Sequence, residues 1–266
     1  MKLDTIKKWD PRYFILAFLF SFVITGQFFL DFYQKWDALF ASIVTAVMVE
    51  LLLHRWIKKA WIFPLSAIIS GTGISLILNS YLLWPYVLTS TIAIGMKYVF
   101  RIGGGHVFNP NNIAIVAVLF FLPQFVVSTP KQWSNGFLIM AFILVLGIIA
   151  ASMARRLDTV LAFIGSYLMF ALLRHVFVDE PLYYALGPMM GASFQLFTFF
   201  MLTDPKTTPS TTLMRVVIAF SVAAVDAYLR IHQITNSLFY AAFIVTILIG
   251  LPYRIYSTRK NTMLPS

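Results

Sequence analysis

The chain is a succession of about ten apolar runs, each close to the roughly 17–25 residues that carry an α-helix across a bilayer. They cover Tyr13–Leu30, Ala38–Leu53, Trp61–Leu78, Leu82–Phe100, Asn112–Val127, Gly136–Met153, Thr159–Phe177, Tyr184–Leu202, Leu213–Leu229 and Ser237–Tyr253. In hydrocarbon the backbone finds no water, so a spanning segment must close its own hydrogen bonds as a helix or within a closed barrel. The runs are continuous and lack the period-2 alternation of barrel strands, so they are read as helices. Composition agrees. Of the 266 residues, 60% are apolar and only 11% charged, against about 25% charged in a soluble domain. The connections are too short for a soluble domain. The expectation is one transmembrane domain over residues 1–266: all-α, polytopic, with about ten transmembrane helices. The fifth run is short enough to be tilted, partial or re-entrant. Lys2, Lys7, Lys8 and Arg12 resemble the n-region of a signal peptide. The apolar stretch behind them is long, however, and no small-x-small cleavage site follows Leu30, so it reads as a retained first helix.

Charge gives the orientation. With the N-terminus in the cytoplasm and ten crossings, Lys35, Lys131, Arg174 and Arg230 fall on the far side, and the other 16 of the 20 Lys and Arg fall on the cytoplasmic side. That asymmetry is the positive-inside pattern. It implies a multi-pass protein of a bacterial-type inner (cytoplasmic) membrane with both termini in the cytoplasm. The net charge of +10 is then explained by contact with anionic headgroups, and nucleic acid has no place among the partners. The chain has no Cys, which excludes a disulfide frame, a thiolate-bound iron–sulfur cluster and a cysteine nucleophile. The four His are widely separated, and no metal site or catalytic side chain is expected.

Two segments on the cytoplasmic side depart from a generic bundle. In Lys97–Ile113, Gly103, Gly104 and Gly105 permit positive φ and close backbone approach. Asn109 followed by Pro110 is a helix start, with Asn as N-cap and Pro at the first helical position. Lys97 and Arg101 are spaced to share a helix face. The segment reads either as a pocket for a phosphate or a polar ring edge, or as a tight turn with two snorkelling cations. In Phe197–Thr211, Asp204-Pro205 and Thr208-Pro209 are two cap-plus-proline pairs. They suit a broken helix lining a cavity, or an interhelical turn stiffened by two prolines.

These residues resemble the RnfD/NqrB family, the membrane subunits of Rnf and Na+-translocating NADH:quinone reductase electron transport complexes. The family's Lys-preceded glycine stretch and F-N-P-A are matched by Lys97, Gly103–Gly105 and Phe108-Asn109-Pro110, with Asn111 in place of the alanine. Its F-F-M-A-T-D-P-x-T-x-P is matched by Phe199-Phe200-Met201-Leu202-Thr203-Asp204-Pro205, with Thr207, Thr208 and Pro209. Ser66–Leu76 resembles its S-A-x-x-T-G-x-x-L-A-L helix. The resemblance implies a urea-transporter-like two-half bundle with broken helices, a flavin, and a role in membrane electron transport beside other membrane or redox subunits. The family's S/T-G-A-T flavinylation sequence is missing; the nearest string, Gly191-Ala192-Ser193, lacks the acceptor Thr. The expected cofactor is therefore FMN or riboflavin held non-covalently rather than covalent FMN, with no iron–sulfur in this chain. The residues implied at the cofactor are Ser70, Gly71, Lys97, Arg101, Gly103, Gly104, Gly105, His106, Asn109, Thr203, Asp204, Lys206, Thr207 and Thr208. Asn109 and Asp204 would cap helix starts, the glycines would admit the ligand, and Lys97, Arg101 and Lys206 would balance its negative charge. The alternative is a cofactor-free small-solute transporter or channel on the same scaffold.

Ionisable and polar residues within spans complete the reading. Glu50 is expected to pair locally with His54 or Arg55, and Asp226 with Arg230 one turn on. Gln27, Asn79 and Gln195 are expected to bridge helices.

Overall fold

The computed structural model describes residues 11–29, 35–103, 105–128 and 137–263. It is all-α apart from two ladders of two residues each. The helices are α1 (Pro11–Phe29), α2 (Trp36–Lys58), α3 (Leu65–Ile77), α4 (Trp84–Val99), α5 (Pro110–Phe121), α6 (Phe137–Met153), α7 (Leu157–Val178), α8 (Leu182–Leu186), α9 (Ala192–Leu196), α10 (Thr212–Ile231), α11 (Ser237–Val245) and α12 (Leu251–Met263). The strands are β1 (Leu78–Asn79), β2 (Arg101–Ile102), β3 (Gly105–His106) and β4 (Val127–Ser128), paired antiparallel as β1–β4 and β2–β3. A π-turn, Phe197–Met201, continues α9, and a second, Thr246–Gly250, joins α11 to α12.

Among the described residues, four helices are long and apolar enough to cross a membrane: Trp36–Lys58, Leu157–Val178, Thr212–Ile231 and the continuous Ser237–Arg259. Several other expected spans are shorter as folded. The third run becomes the 13-residue α3 and the fifth the 12-residue α5. At 1.5 Å per residue each covers about 20 Å, less than the roughly 30 Å of hydrocarbon. The eighth run is divided into α8, a 3₁₀ turn at Gly187–Met190, α9 and the first π-turn. Leu78 and Asn79 leave the helical path to pair with Ser128 and Val127. Apolarity marks where a segment is buried, not where its helix stops, and so one run can hold a half-helix and an extended piece.

The faces of α2 show how a membrane helix sorts its residues. Ala38, Ser42, Ala46 and Glu50, one turn apart, are buried, and Phe40, Val44, Met48 and Leu52 form an exposed apolar stripe. In water such a stripe would drive association; in lipid it is the solvated face. The buried face is small because α3 lies against it. A Cβ at Gly71 would sit 2.6 Å from Ile43 Cα and 2.8 Å from Ser42 O. The packing order then recurs: α2 on α4 and α4 on α5, and again α7 on α10 and α10 on α11. The two sets meet directly where α5 lies on α11, and the remaining helices pack as α1 on α6 and α3 on α9.

Basic residues collect at both ends of the bundle. Arg12, Lys97, Arg101, Arg156, Lys206 and Arg254 gather at one, the basic end. Lys35 donates to Ser80 O and Tyr81 O at the other, where Arg174 and Arg230 flank the Tyr167 ring. Lys131 lies outside the described residues. Asp226 pairs with Arg230 at 2.7 Å, as expected.

Candidate functional site

The glycine segment folds into the β2–β3 hairpin, with Arg101 opposite His106 and Ile102 opposite Gly105. Gly103 turns the chain at φ +59°, a left-handed conformation that favours glycine. Its other role is to make room for α12. A Cβ at Gly103 would lie 2.7 Å from Thr258 Oγ1, and one at Gly105 would occupy the place of the Arg254 guanidinium. These glycines therefore admit a helix of the chain itself, and Gly103 also lines a cavity. Gly104 lies outside the described residues. Because α4 ends at Val99, Lys97 and Arg101 do not share a helix face. Lys97 turns into the bundle, and Arg101 stands exposed on β2.

Asn109 performs as its sequence suggests and does more. Its Oδ1 accepts from Asn111 N at 3.0 Å and Asn112 N at 3.2 Å, capping α5. Its Nδ2 donates to Met201 O at 3.2 Å, tying one motif to the other across 92 residues. Since the cap serves the N–H groups of the first turn itself, that helix end is not an open anion site. Met201 ends the first π-turn, and Thr203 returns its hydroxyl to Phe199 O at 2.6 Å. Asp204 caps no helix. Its Oδ1 accepts from Lys206 N, and its carbonyl accepts from Thr207 N and Thr208 N, which makes a compact turn. The next helix, α10, starts only at Thr212.

Two cavities flank the Asn109–Met201 link, and both touch Asn109 and Pro205. The first, about 280 Å³, is lined by Ser66, Ser70, Lys97, His106, Asn111, Asp204 and Lys206, with Ile15, Ile69 and Phe200 as its apolar wall. Lys97 forms an ion pair with Glu50 and donates to Ser66 Oγ at 2.7 Å. The expected local pairing of Glu50 is thus corrected: its partner is Lys97 of α4, which packs against the buried face of α2 that carries Glu50. Asn111 Nδ2 donates to Ser70 O at 3.1 Å. A carbonyl can only accept, so the amide orientation is settled, and Asn111 Oδ1 is left buried without a partner. By the same logic His106 Nδ1, 3.1 Å from Lys97 O, carries the proton, and Nε2 keeps a lone pair. Burial, then the charges of Lys97, Lys206 and Arg101, push the His106 pKa down to about 4. The ring is therefore neutral at pH 7 and accepts a hydrogen bond rather than attracting an anion. Burial raises the Asp204 carboxyl above its ordinary range.

The second cavity, about 350 Å³, is polar at its mouth and apolar below. Thr207, Thr208, Ser210, Ser257 and Thr258 supply hydroxyls, with Arg156 and Arg254 beside them. Arg156 Nε donates to Thr208 Oγ1 at 2.8 Å, and Arg254 Nη2 donates to Lys206 O at 2.8 Å. Arg254 Nη1 is enclosed with no partner, as is Asn112 Oδ1. Deeper, Phe197, Leu202, Ile218, Val222 and Ala242 form the floor.

Of the residues implied by the resemblance, Ser70, Lys97, His106, Asn109, Asp204 and Lys206 meet at the first cavity, and Gly103, Asn109, Thr207 and Thr208 at the second. Gly71, Arg101, Gly105 and Thr203 line neither: Gly71 packs α3 on α2, Gly105 seats Arg254, and Thr203 is bonded to its own helix. The sequence reading passed over Asn111, Asn112, Arg156 and Arg254. The two Asn follow a cap and read as helix; the two Arg read as positive-inside charge. Two consecutive Asn at the start of an apolar run were the available signal. Among the described residues no group of three or more His, Cys, Asp or Glu could hold a metal ion. No protein-family model matches the chain, and no curated protein matches it.

Proposed function

We propose that this chain is a membrane subunit of an electron-transport system resembling RnfD and NqrB, and that its first cavity holds the ring of a non-covalently bound flavin. One observation carries the reading. The two motif segments are tied by the Asn109–Met201 hydrogen bond, and the cavity beside that bond presents matched donors and acceptors over an apolar wall. The pyrimidine edge of a flavin offers carbonyl, N–H and carbonyl in a row. Lys97 has three N–H donors, two already used by Glu50 and Ser66, and the third suits a carbonyl. Asn111 Oδ1 and His106 Nε2 suit the N–H between. Phe200, Ile69 and Ile15 suit the ring faces. At about 280 Å³ the cavity falls just below the roughly 300–1,000 Å³ of ligand sites, and a planar ring suits it better than a bulky solute.

When bound, the flavin would supply the redox chemistry. The chain's own residues would orient the ring and exclude water. Lys97, with Glu50 behind it, would favour the more negative reduced form. The absence of Cys requires any thiolate-ligated iron–sulfur centre to sit on a partner subunit. The further elements of the proposal are about ten passes in two urea-transporter-like halves, an inner membrane, and the basic end with both termini in the cytoplasm. The repeated packing order supports the two halves, and the gathering of basic residues at one end supports the orientation.

The test is to purify the protein in mild detergent from cells that also express its redox partners, record visible absorbance, denature it and assay the supernatant for flavin. About one flavin per chain is expected, with at least a tenfold loss in Asn111→Leu. Colourless wild-type protein overturns the reading. A second reading, a small-solute transporter, is favoured by Gln195, which is 2% exposed with neither amide end paired. Uptake into liposomes that Gln195→Leu abolishes would establish it.

A further inference from the structure

The second cavity combines three features that the flavin reading does not use. The first is charge. Arg156 and Arg254 stand at its mouth. Asp204 acts on both, and Asp158 acts on Arg156 as well, but Asp158 is paired with Arg215 at 2.5 Å. Three guanidiniums against two carboxylates leave the mouth positive. The second is unused bonding capacity. Arg254 Nη1 is enclosed and unpartnered; the unpaired Asn112 Oδ1 at the cavity wall is an acceptor, suited to a hydroxyl of the ligand rather than to its anionic oxygens. A buried guanidinium N–H without an acceptor is costly, and an anion at that point would remove the cost. The hydroxyls of Ser210, Thr207 and Thr208 lie in the same mouth. The third is shape. Below the polar mouth the cavity continues between α10 and α11 over Ile218, Val222 and Ala242.

A guanidinium fork recognises phosphate oxygens well, and an apolar slot below suits a hydrophobic body. We propose that this cavity binds the phosphate group of an amphipathic phosphate ester, with Arg254 Nη1 and Arg156 on the phosphate and the α10–α11 walls around the apolar part. The glycines serve this site: Gly105 lets the Arg254 guanidinium lie against the hairpin, where Lys206 O fixes one of its nitrogens and leaves the other for the ligand. The phosphate can belong to a soluble ester or to a lipid headgroup, because both present the same oxygens. The proposal does not depend on a flavin in the first cavity.

The experiment has two arms. In the first, detergent-purified protein is titrated calorimetrically with inorganic phosphate and with glycerol 3-phosphate. In the second, native mass spectrometry follows lipid retained from nanodiscs of phosphatidylcholine with or without phosphatidic acid. Wild type is compared with Arg254→Gln, Arg156→Gln and Arg101→Gln; Arg101 is exposed and lines neither cavity, so it controls for lost net charge. Binding of one probe at about one per chain is expected, weakened about tenfold or more by Arg254→Gln and by Arg156→Gln, and unchanged by Arg101→Gln. Saturable binding of the soluble probes identifies a soluble ester; retention of phosphatidic acid alone identifies a headgroup. If Arg254→Gln fails to fold, Arg156→Gln and the charge-preserving Arg254→Lys carry the comparison. The proposal is overturned if neither probe binds wild type, or if Arg101→Gln weakens binding as much as the other two.

Discussion

His106 allows a quantitative test of how the basic end is built. The ring is 5% exposed, and its pKa falls from the ordinary 6.5 to about 4 because burial and three nearby cations disfavour the imidazolium. A folded-state pKa below the unfolded one means that the unfolded chain takes up the proton first as pH falls. The contribution of neutral His106 is therefore complete above about pH 6.5 and is lost progressively between 6.5 and 4. At about 1.4 kcal/mol per pH unit, that interval sets a ceiling of about 3 kcal/mol, and solvent at the cavity mouth reduces it to about 1–3 kcal/mol. The perturbation is acidification from pH 7.5 to 4.5, applied to wild type and to His106→Asn. The asparagine keeps a donor for Lys97 O and cannot be charged. Thermal unfolding in detergent should show wild type losing about 1–3 kcal/mol more than the variant, because every other titrating group is common to both. Histidine C2–H exchange followed by mass spectrometry reads the pKa of the same ring directly. Parallel pH profiles for the two proteins, or an exchange midpoint near 6.5, would refute the assignment of a buried neutral ring pressed by Lys97, Lys206 and Arg101.

Three other expectations concern packing and pairing. Glu50→Gln leaves the Lys97 ammonium buried without its counter-ion; it should destabilise by about 3–5 kcal/mol, and Glu50→Gln with Lys97→Met should recover much of that loss in a double-mutant cycle. Gly105→Ala places a methyl where the Arg254 guanidinium lies; the flexible side chain can swing aside, and the lost bond to Lys206 O should cost about 1 kcal/mol in thermal unfolding, whereas Gly95→Ala in α4, with nothing within 4 Å of the new Cβ, should be neutral or stabilising by up to about 1 kcal/mol. Asn109→Ala removes the α5 cap and the link to Met201 together, and should cost about 2 kcal/mol, read as a lowered unfolding midpoint with loosened protection of the Thr203–Thr208 turn in hydrogen exchange.

Much of this protein follows from local chemistry, which a sequence displays. The apolar runs are visible because lipid solvates side chains one by one; α7 is legible to within two residues at each end, and α2 except for its last, polar turn. The α5 cap was legible because Asn109 and Pro110 act on the peptide groups beside them. The gathering of Arg12, Lys97, Arg156, Lys206 and Arg254 at one end was legible because charge follows the membrane surface. Other features depend on what lies opposite in space. Whether an apolar run is a full span or a half-helix such as α3 or α5 depends on its neighbours, since an extended Leu78–Asn79 needs Val127–Ser128 to satisfy its backbone. Glu50 was assigned to His54 and Arg55 because they are near in sequence, but the rotation of α2 against α4 gives it Lys97. The glycine run signalled close approach without saying of what, and α12 proved to be what approaches. Asn111, Asn112 and Arg254 belong to cavities whose walls come from segments far apart in the chain. Local propensity, apolarity and charge were set by the residues themselves; the donors and acceptors left without a partner, which define the two cavities, were decided by how the helices pack.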